Sequence, residues 1–281
     1  PEVATAGRPH RQLASVPLVV LAVALAILAA WTAMSGAPVA RGFEFTGGTE
    51  LRVSAPGATA DDIGSAFSVQ PESVQSASDG VYIVTFGPDA PDTDTLTAQV
   101  RDQGYEVPAS SDVGASFGRN TQLLALGGVG VAFLGMSALV FVMFRTFVPS
   151  IAVVVSAFSD IVIPVAIMNL LGIELSLGTV AALLMLIGYS VDSDILLNNH
   201  ILRRSGDFYE SVNRAMRTGV TMTLTSLSAM IVMTIIATYF GIGLLAAIGT
   251  VLAFGLATDL MNTYMLNLSL LRWYKYEGVA R

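Results

Sequence analysis

Apolar residues gather in six runs along this 281-residue chain, about Val16 to Ala37, Leu123 to Phe144, Val148 to Leu170, Ser176 to Asn199, Val220 to Tyr239 and Ile242 to Leu271. Each is long enough to cross a bilayer as a helix, which takes roughly 20 predominantly apolar residues. The first run follows arginines, as a signal peptide does. Its length and the lack of a small-residue cleavage site read instead as an anchor.

Between the first two runs, from Pro38 to Thr121, the period changes. Thr49 to Ser54 alternates as a strand. Thr59 with Asp62 three residues on is a capping-box start for a short helix to Phe67. Val69 to Ala77 and Val81 to Phe86 flank Ser78-Asp79-Gly80 as a hairpin. Asp92 to Gln103 predicts a second helix closed by Gly104, and Tyr105 to Val107 a last strand. The order β-α-β-β-α-β predicts a small α+β ferredoxin-like sandwich. The expected fold is thus an all-α membrane bundle of six transmembrane helices with one such domain outside it. Residues 1–37 form an arm and the first span, 38–121 the α+β domain, 122–271 spans two to six with a basic loop at 200–219, and 272–281 a tail.

Composition agrees: 53% hydrophobic and 12% charged residues, with a mean hydropathy of +0.67, mark an integral membrane protein. Ten basic residues (Arg8, Arg11, Arg145, Arg203, Arg204, Arg214, Arg217, Arg272, Lys275 and Arg281) fall on one side of the six spans. The positive-inside rule then places both termini in the cytoplasm, in a multi-pass cytoplasmic membrane protein, and residues 38–121 outside. That external segment sets four arginines against twelve acidic side chains, a surface that repels nucleic acid. Of the basic residues only Lys275 is lysine, which with a sequence pI near 4.7 suggests a salt-adapted proteome. There is no cysteine, and the two histidines, His10 and His200, are far apart, so neither a metal centre nor a cofactor is expected. Gly127 to Gly130 lies inside a span and lacks dinucleotide-loop spacing. The chain begins at Pro1 rather than a methionine, and its native start is left open.

Four aspartates interrupt the spans: Asp160, Asp192, Asp194 and Asp259. A carboxylate near the bilayer centre costs about 2.5 to 3.5 kcal/mol and is a functional candidate for that reason. Asp192 shares a helical face with Ile195, Leu196 and Asn199, and Asp194 shares one with Asn198. Gly188 and Ser190 would admit a neighbouring helix closely. Ion relay leads for Asp192; for Asp194 relay and simple hydrogen bonding are balanced. In span five Thr218, Thr221, Thr225 and Ser228 form one stripe, with Thr223 and Ser226 to its sides. Back-bonding to the same helix would explain the stripe; the wall of a pathway facing span four explains it better. Arg217 at its head is expected to pair with Asp192 or Asp194. Asp160 and Asp259 have only Pro164 and Thr263 at helical spacing, and packing and function are equal readings for both. Gly249 with Ala253 and Ala246 with Thr250 read as packing seams.

Several motifs resemble the SecD/SecF protein-export family. GFEFTGGTELRV, with Gly42, Phe45, Thr46, Gly47 and Gly48, is similar to the signature after the first span of SecD and SecF. IGYSVDSDILL, with Gly188 and Tyr189, looks like the fourth-span motif of SecF, and NRAMRTGVTMTLTSL like its fifth-span entry; DVGASFG matches the segment leading into span two. Where bacterial SecF shows Asn and then Asp, this chain has Asp192 and Ser193, followed by Asp194, which looks like the archaeal form. The resemblance implies a complex with SecD, association with the SecYEG translocon, contact with an exported polypeptide and with membrane lipid, an architecture like half of a resistance-nodulation-division transporter, and drive by a proton or sodium gradient; it leaves open which carboxylate relays the ion, and the candidates read from spacing are Asp192, Asp194, Arg217, Thr221 and Thr225.

Three rival readings remain. A small-molecule or lipid exporter half of that superfamily usually carries larger external domains. An intramembrane aspartyl protease would use paired aspartates, yet its Gly-x-Gly-Asp and Pro-Ala-Leu motifs are absent, so no enzyme is expected. A non-conducting assembly factor would use the aspartates only to hold its partner.

Overall fold

The computed structural model describes residues 10–78, 80–203 and 208–276. The expected turn residue Asp79 and the flanking Arg8, Arg204 and Arg281 lie outside them. The chain runs through α1 (His10–Ser35), a one-turn α2 (Phe43–Thr46), β1 (Gly48–Ser54), α3 (Ala60–Ser65), β2 (Ser73–Ser78), β3 (Val81–Phe86), α4 (Thr93–Asp102) and β4 (Glu106–Val113). There follow α5 (Ala115–Phe144), α6 (Phe147–Leu171), α7 (Leu177–Arg203), α8 (Phe208–Tyr239), α9 (Gly243–Met261), a π-helical segment (Asn262–Asn267) and α10 (Leu268–Tyr276). Six helices are long and apolar enough to cross a membrane, the sixth being the composite of α9, the π segment and α10.

The four strands form one antiparallel sheet in the order β2-β3-β1-β4. Period-two alternation gives it two unlike faces. Leu51, Val53, Val84 and Phe86 point to a core closed by Ile63 of α3 and Leu96 and Val100 of α4. Phe67 meets Phe86 edge to face at 4.7 Å. The capping box on α3 is present, Asp62 accepting from the Thr59 backbone and hydroxyl. The backbone donor first, then the hydroxyl, holds the Asp62 carboxyl below its ordinary value.

Two sequence boundaries are corrected. β4 reaches Val113 instead of ending at Val107, because its backbone pairs with β1 as far as Gly48. Pro108 is tolerated there since β4 is an edge strand. α5 then begins at Ala115, not Leu123, with Gly114 as the sole residue between strand and helix. The α+β unit therefore ends near residue 114 rather than 121.

Within the bundle α6 and α7 are the most enclosed helices, while α1, α5 and α8 expose most of their surface. Their bared apolar flanks suit lipid or another apolar partner. α6 keeps Pro164 in its interior, as membrane helices can when neighbours re-satisfy the freed backbone. It closes at Gly172, whose φ of 68° makes a left-handed cap.

The sheet sits against the bundle end where α6 meets α7 and α8 meets α9. Arg41 and Leu175 form a parallel bridge. Asn169 donates to Pro38 O at 2.8 Å and accepts from Ala40 N at 3.3 Å. Glu44 accepts from Leu177 N at 2.5 Å, placing a carboxylate at the α7 N-terminus, where the helix dipole favours it. Arg52 donates to Gly241 O at 3.2 Å. The second sheet face, with Glu50, Arg52, Ile83 and Thr85, looks across a cleft of about 630 Å³ toward Glu174 and the α9 N-terminus.

Candidate functional site

The Phe-Thr-Gly-Gly turn is a structural joint. Phe45 is buried. Gly47 and Gly48 adopt φ of 82° and 133°. A Cβ on Gly47 would stand 2.5 Å from Ala115 Cα, and one on Gly48 2.1 Å from Phe86 O. A Cβ on Gly118 of α5 would stand 2.9 Å from Gly47 N. Thr46 bonds locally to the Gly42 and Gly47 carbonyls, and Gly42 N donates to Leu175 O. Glycine is required because backbone approaches backbone with left-handed dihedrals.

The centre of the bundle holds a different constellation. α6 contributes Asp160, α7 Ser190, Ser193 and Asp194, α9 Asp259, and the π segment Asn262, Thr263 and Asn267, all buried. Asp160 accepts from the Ser190 hydroxyl and from Asn262 Nδ2, both at 2.6 Å. Asp259 accepts from the Ser193 hydroxyl. Asp194 Oδ1 accepts from Thr263 Oγ1 at 2.9 Å and Asn267 Nδ2 at 2.8 Å. Thr263 is also 3.3 Å from both Ser193 Oγ and Asp259 Oδ1. The Ser193 and Thr263 hydroxyls thus stand between Asp259 and Asp194, one donating to each carboxylate.

None of the three carboxylates makes an ion pair with a described residue. A charge buried in this way needs a bound proton or cation to neutralise it. Among the described residues no group of three or more His, Cys, Asp and Glu side chains converges as a metal site would require.

Asp160 and Asp259, which had only Pro164 and Thr263 at helical spacing, are central. Asp192, which led on spacing, is exposed and lines a pocket of about 120 Å³ with Tyr189, Ser193, Thr223, Ser226 and Asp259. Arg217 is exposed and pairs with neither Asp192 nor Asp194; Asp194 is turned inward, toward the π segment. The stripe on α8 does not face α7. Thr218, Thr221, Thr225 and Ser228 are exposed and donate to the carbonyls of Arg214, Arg217, Thr221 and Leu224 on their own helix. The residues turned to α7 are Gly219, Met222, Thr223 and Ser226. Gly188 meets open space and receives no close helix, whereas Gly249 packs against Thr234 and Met233 of α8, as its seam predicts. Ser193, Asn262, Thr263 and Asn267 were not singled out for the site. The polar run Asp259, Asn262, Thr263 and Asn267 in an apolar helix was the available signal.

A family model described as protein export membrane protein SecD/SecF, C-terminal, matches residues 93–277. The protein-export membrane protein SecF of Haloferax volcanii is 68% identical over 282 residues, covering 100% of this chain and 98% of that relative. SecF of Haloquadratum walsbyi is 67% identical over 285 residues, with the same coverage. Among solved structures, the crystal structure of SecDF, a translocon-associated membrane protein from Thermus thermophilus, superposes with a TM-score of 0.74 at 22% identity. It covers 98% of this chain, which spans 39% of that one, a likeness of fold.

Proposed function

This chain belongs to the SecD/SecF family of protein-export membrane proteins, as a SecF, and from that premise we propose that it uses its buried aspartates to couple an ion gradient to polypeptide export. It acts with SecD beside the SecYEG translocon, driven by the proton or sodium gradient of the cytoplasmic membrane. Both termini are cytoplasmic, and the β-α-β-β-α-β unit is a ferredoxin-like domain on the outer side. The arginine-rich, acidic composition is that of a salt-adapted protein. No enzymatic step is assigned to it.

The observation that carries this reading is the burial of Asp259 and Asp194 on either side of the Ser193 and Thr263 hydroxyls, with no described residue pairing either carboxylate as a cation. Neutralising either carboxylate changes what α7 and the π segment hold between them. One charge crossing 100 mV releases about 2.3 kcal/mol, enough to bias two packings of those helices. The joint at Gly47 and the contacts of Glu44 and Arg52 carry such a shift to the external sheet.

Asp192, Gly188 and Tyr189 face outward from α7. A carboxylate there is costly against lipid, which supports SecD as the cover of this face.

The test is secretion of a reporter exported by this pathway, in cells whose only copy carries Asp194→Asn, Asp259→Asn or both, with SecD copurification in parallel. Lost secretion with SecD retained is expected. Normal secretion in the double variant would overturn the coupling role, and loss of SecD together with secretion would favour a passive assembly factor.

A further inference from the structure

Between Asn262 and Asn267 the sixth span loses its α-helical winding, so the α-helical ladder no longer dictates which way each side chain points. Thr263 and Asn267 nonetheless face Asp194, to which both donate. The largest side chain between them, Tyr264, is turned toward α8. It is buried in an apolar cluster with Leu197 of α7, Val212 and Ala215 of α8, and Leu268 and Leu271 of α10.

Val212, Ala215 and Gly219 are all buried and stand three and four residues apart on α8, so they form one face. Gly219 is the notch in it. A Cβ there would collide with the Tyr264 hydroxyl oxygen, whereas the ring Cζ and Leu196 Cδ2 would lie at 3.4 and 3.5 Å. Only the hydroxyl, then, occupies the space that the glycine leaves. That hydroxyl is itself buried, with no hydrogen-bond partner among the described residues. Shape rather than a polar bond seats it against α8. A glycine inside a helix is less favourable than alanine, and Gly219 has no left-handed dihedral that would call for one. Room for Tyr264 is the reason the packing offers.

We propose that Tyr264 is a positioning residue: seated in the Gly219 notch, it ties the rotation of the π segment to α8 and so keeps Thr263 and Asn267 aimed at Asp194. Most of α8 is exposed, so a neighbour that moves α8 acts on the buried carboxylates through this contact. The role in export rests on reading those carboxylates as the coupling element; the packing does not.

The experiment measures thermal midpoints of the full chain copurified with SecD, in detergent, for two double-mutant cycles. Gly219→Ala should lower the midpoint by about 5 °C, against the usual sense of a glycine-to-alanine change in a helix. Gly130→Ala, in open space on α5, should hold or raise it. In a Tyr264→Phe background Gly219→Ala should lose most of its effect, because the colliding atom is gone. Thr263→Val should lower the midpoint of the unaltered protein and add little once Gly219→Ala has turned Thr263 away. An undiminished effect of Gly219→Ala beside Tyr264→Phe would overturn the notch, and additive losses with Thr263→Val would overturn the positioning role. Should Gly219→Ala alone yield no complex, recovery of the complex in the double variant supports the notch and continued failure overturns it. Secretion separates this proposal from the coupling reading. Lost secretion in Gly219→Ala cells that retain SecD, restored by Tyr264→Phe, is expected. If the midpoints couple as stated while Gly219→Ala and Thr263→Val cells secrete normally, the contact stands and the coupling reading falls.

Discussion

The Ser193 hydroxyl lies 2.8 and 3.0 Å from the two carboxylate oxygens of Asp259, joining α7 to α9 in the buried centre of the bundle. A hydrogen bond to a charged group contributes about 1.5 to 3 kcal/mol. Ser193→Ala should therefore lower stability by about 2 kcal/mol, whereas Ser193→Thr, which keeps the hydroxyl, should lose less. Thermal unfolding in detergent measures both. Equal losses would show that side-chain volume, not the hydroxyl, is what α9 senses.

Hydroxyls on α8 and in the π segment should behave differently. Among the described residues Thr221 and Thr225 bond only to their own helix, so Thr221→Val and Thr225→Val should change stability by less than about 0.5 kcal/mol. Thr263→Val removes the donor shared by Asp194 and Asp259 and should abolish or strongly reduce secretion. If the α8 pair impaired export as much as Thr263→Val, the pathway would lie along α8 after all.

The joint after α2 is intolerant of any side chain. Gly48→Ala puts a methyl 2.1 Å from Phe86 O in a backbone with φ of 133°. Strain of this sort costs on the order of 1 to 3 kcal/mol before the clash is counted. Faster proteolysis of the segment between α1 and α5 is expected. Gly57→Ala, in open space at φ 83°, carries the dihedral strain alone and should be milder.

Burial lifts the carboxyls of Glu50 and Glu174 above their ordinary values. Glu44 adds to the effect at Glu50, where Arg52 opposes it, and Glu72 and Glu50 add to it at Glu174. A raised value in the docked state means that docking retains protons which separation would release. Docking is then favoured at and below the ordinary carboxylate range and weakens as pH rises through the raised values. Protection of amides in β1 and the Gly241 turn, taken against their intrinsic exchange rates, should fall from acid to neutral pH, and Glu50→Gln with Glu174→Gln should flatten that dependence. An unchanged slope in the double variant would assign it to other groups.

The six spans and the capping box at Thr59 were legible because each is decided by residues adjacent along the chain, whereas Gly47 and Gly48 entered only through a family resemblance. The length of β4 was not legible, since Pro108 to Asp112 reads as loop and becomes strand only through pairing with β1. That Asp160, Asp194 and Asp259 all lie buried at the centre of the bundle was hidden for a related reason. Helical periodicity orders residues around one helix but does not say how three helices face one another. Asp192 and Asp194 differ by only two positions, yet one is exposed and the other fully buried. The π segment added a second obstacle, because its wider winding sets Thr263 and Asn267 at angles that an α-helical projection misplaces.

The junction of β4 with α5 has a mechanical consequence. One residue, Gly114, separates an edge strand from a helix of 30 residues, which at 1.5 Å per residue is about 45 Å long. Little of α5 is enclosed by the other helices. A tilt of the sheet by about 10° that α5 followed as a rigid rod would swing the far end, near Phe144, through roughly 8 Å. The strand and helix form a lever along the bundle, long enough for a small rocking of the α+β unit to be felt at the far end of the spans.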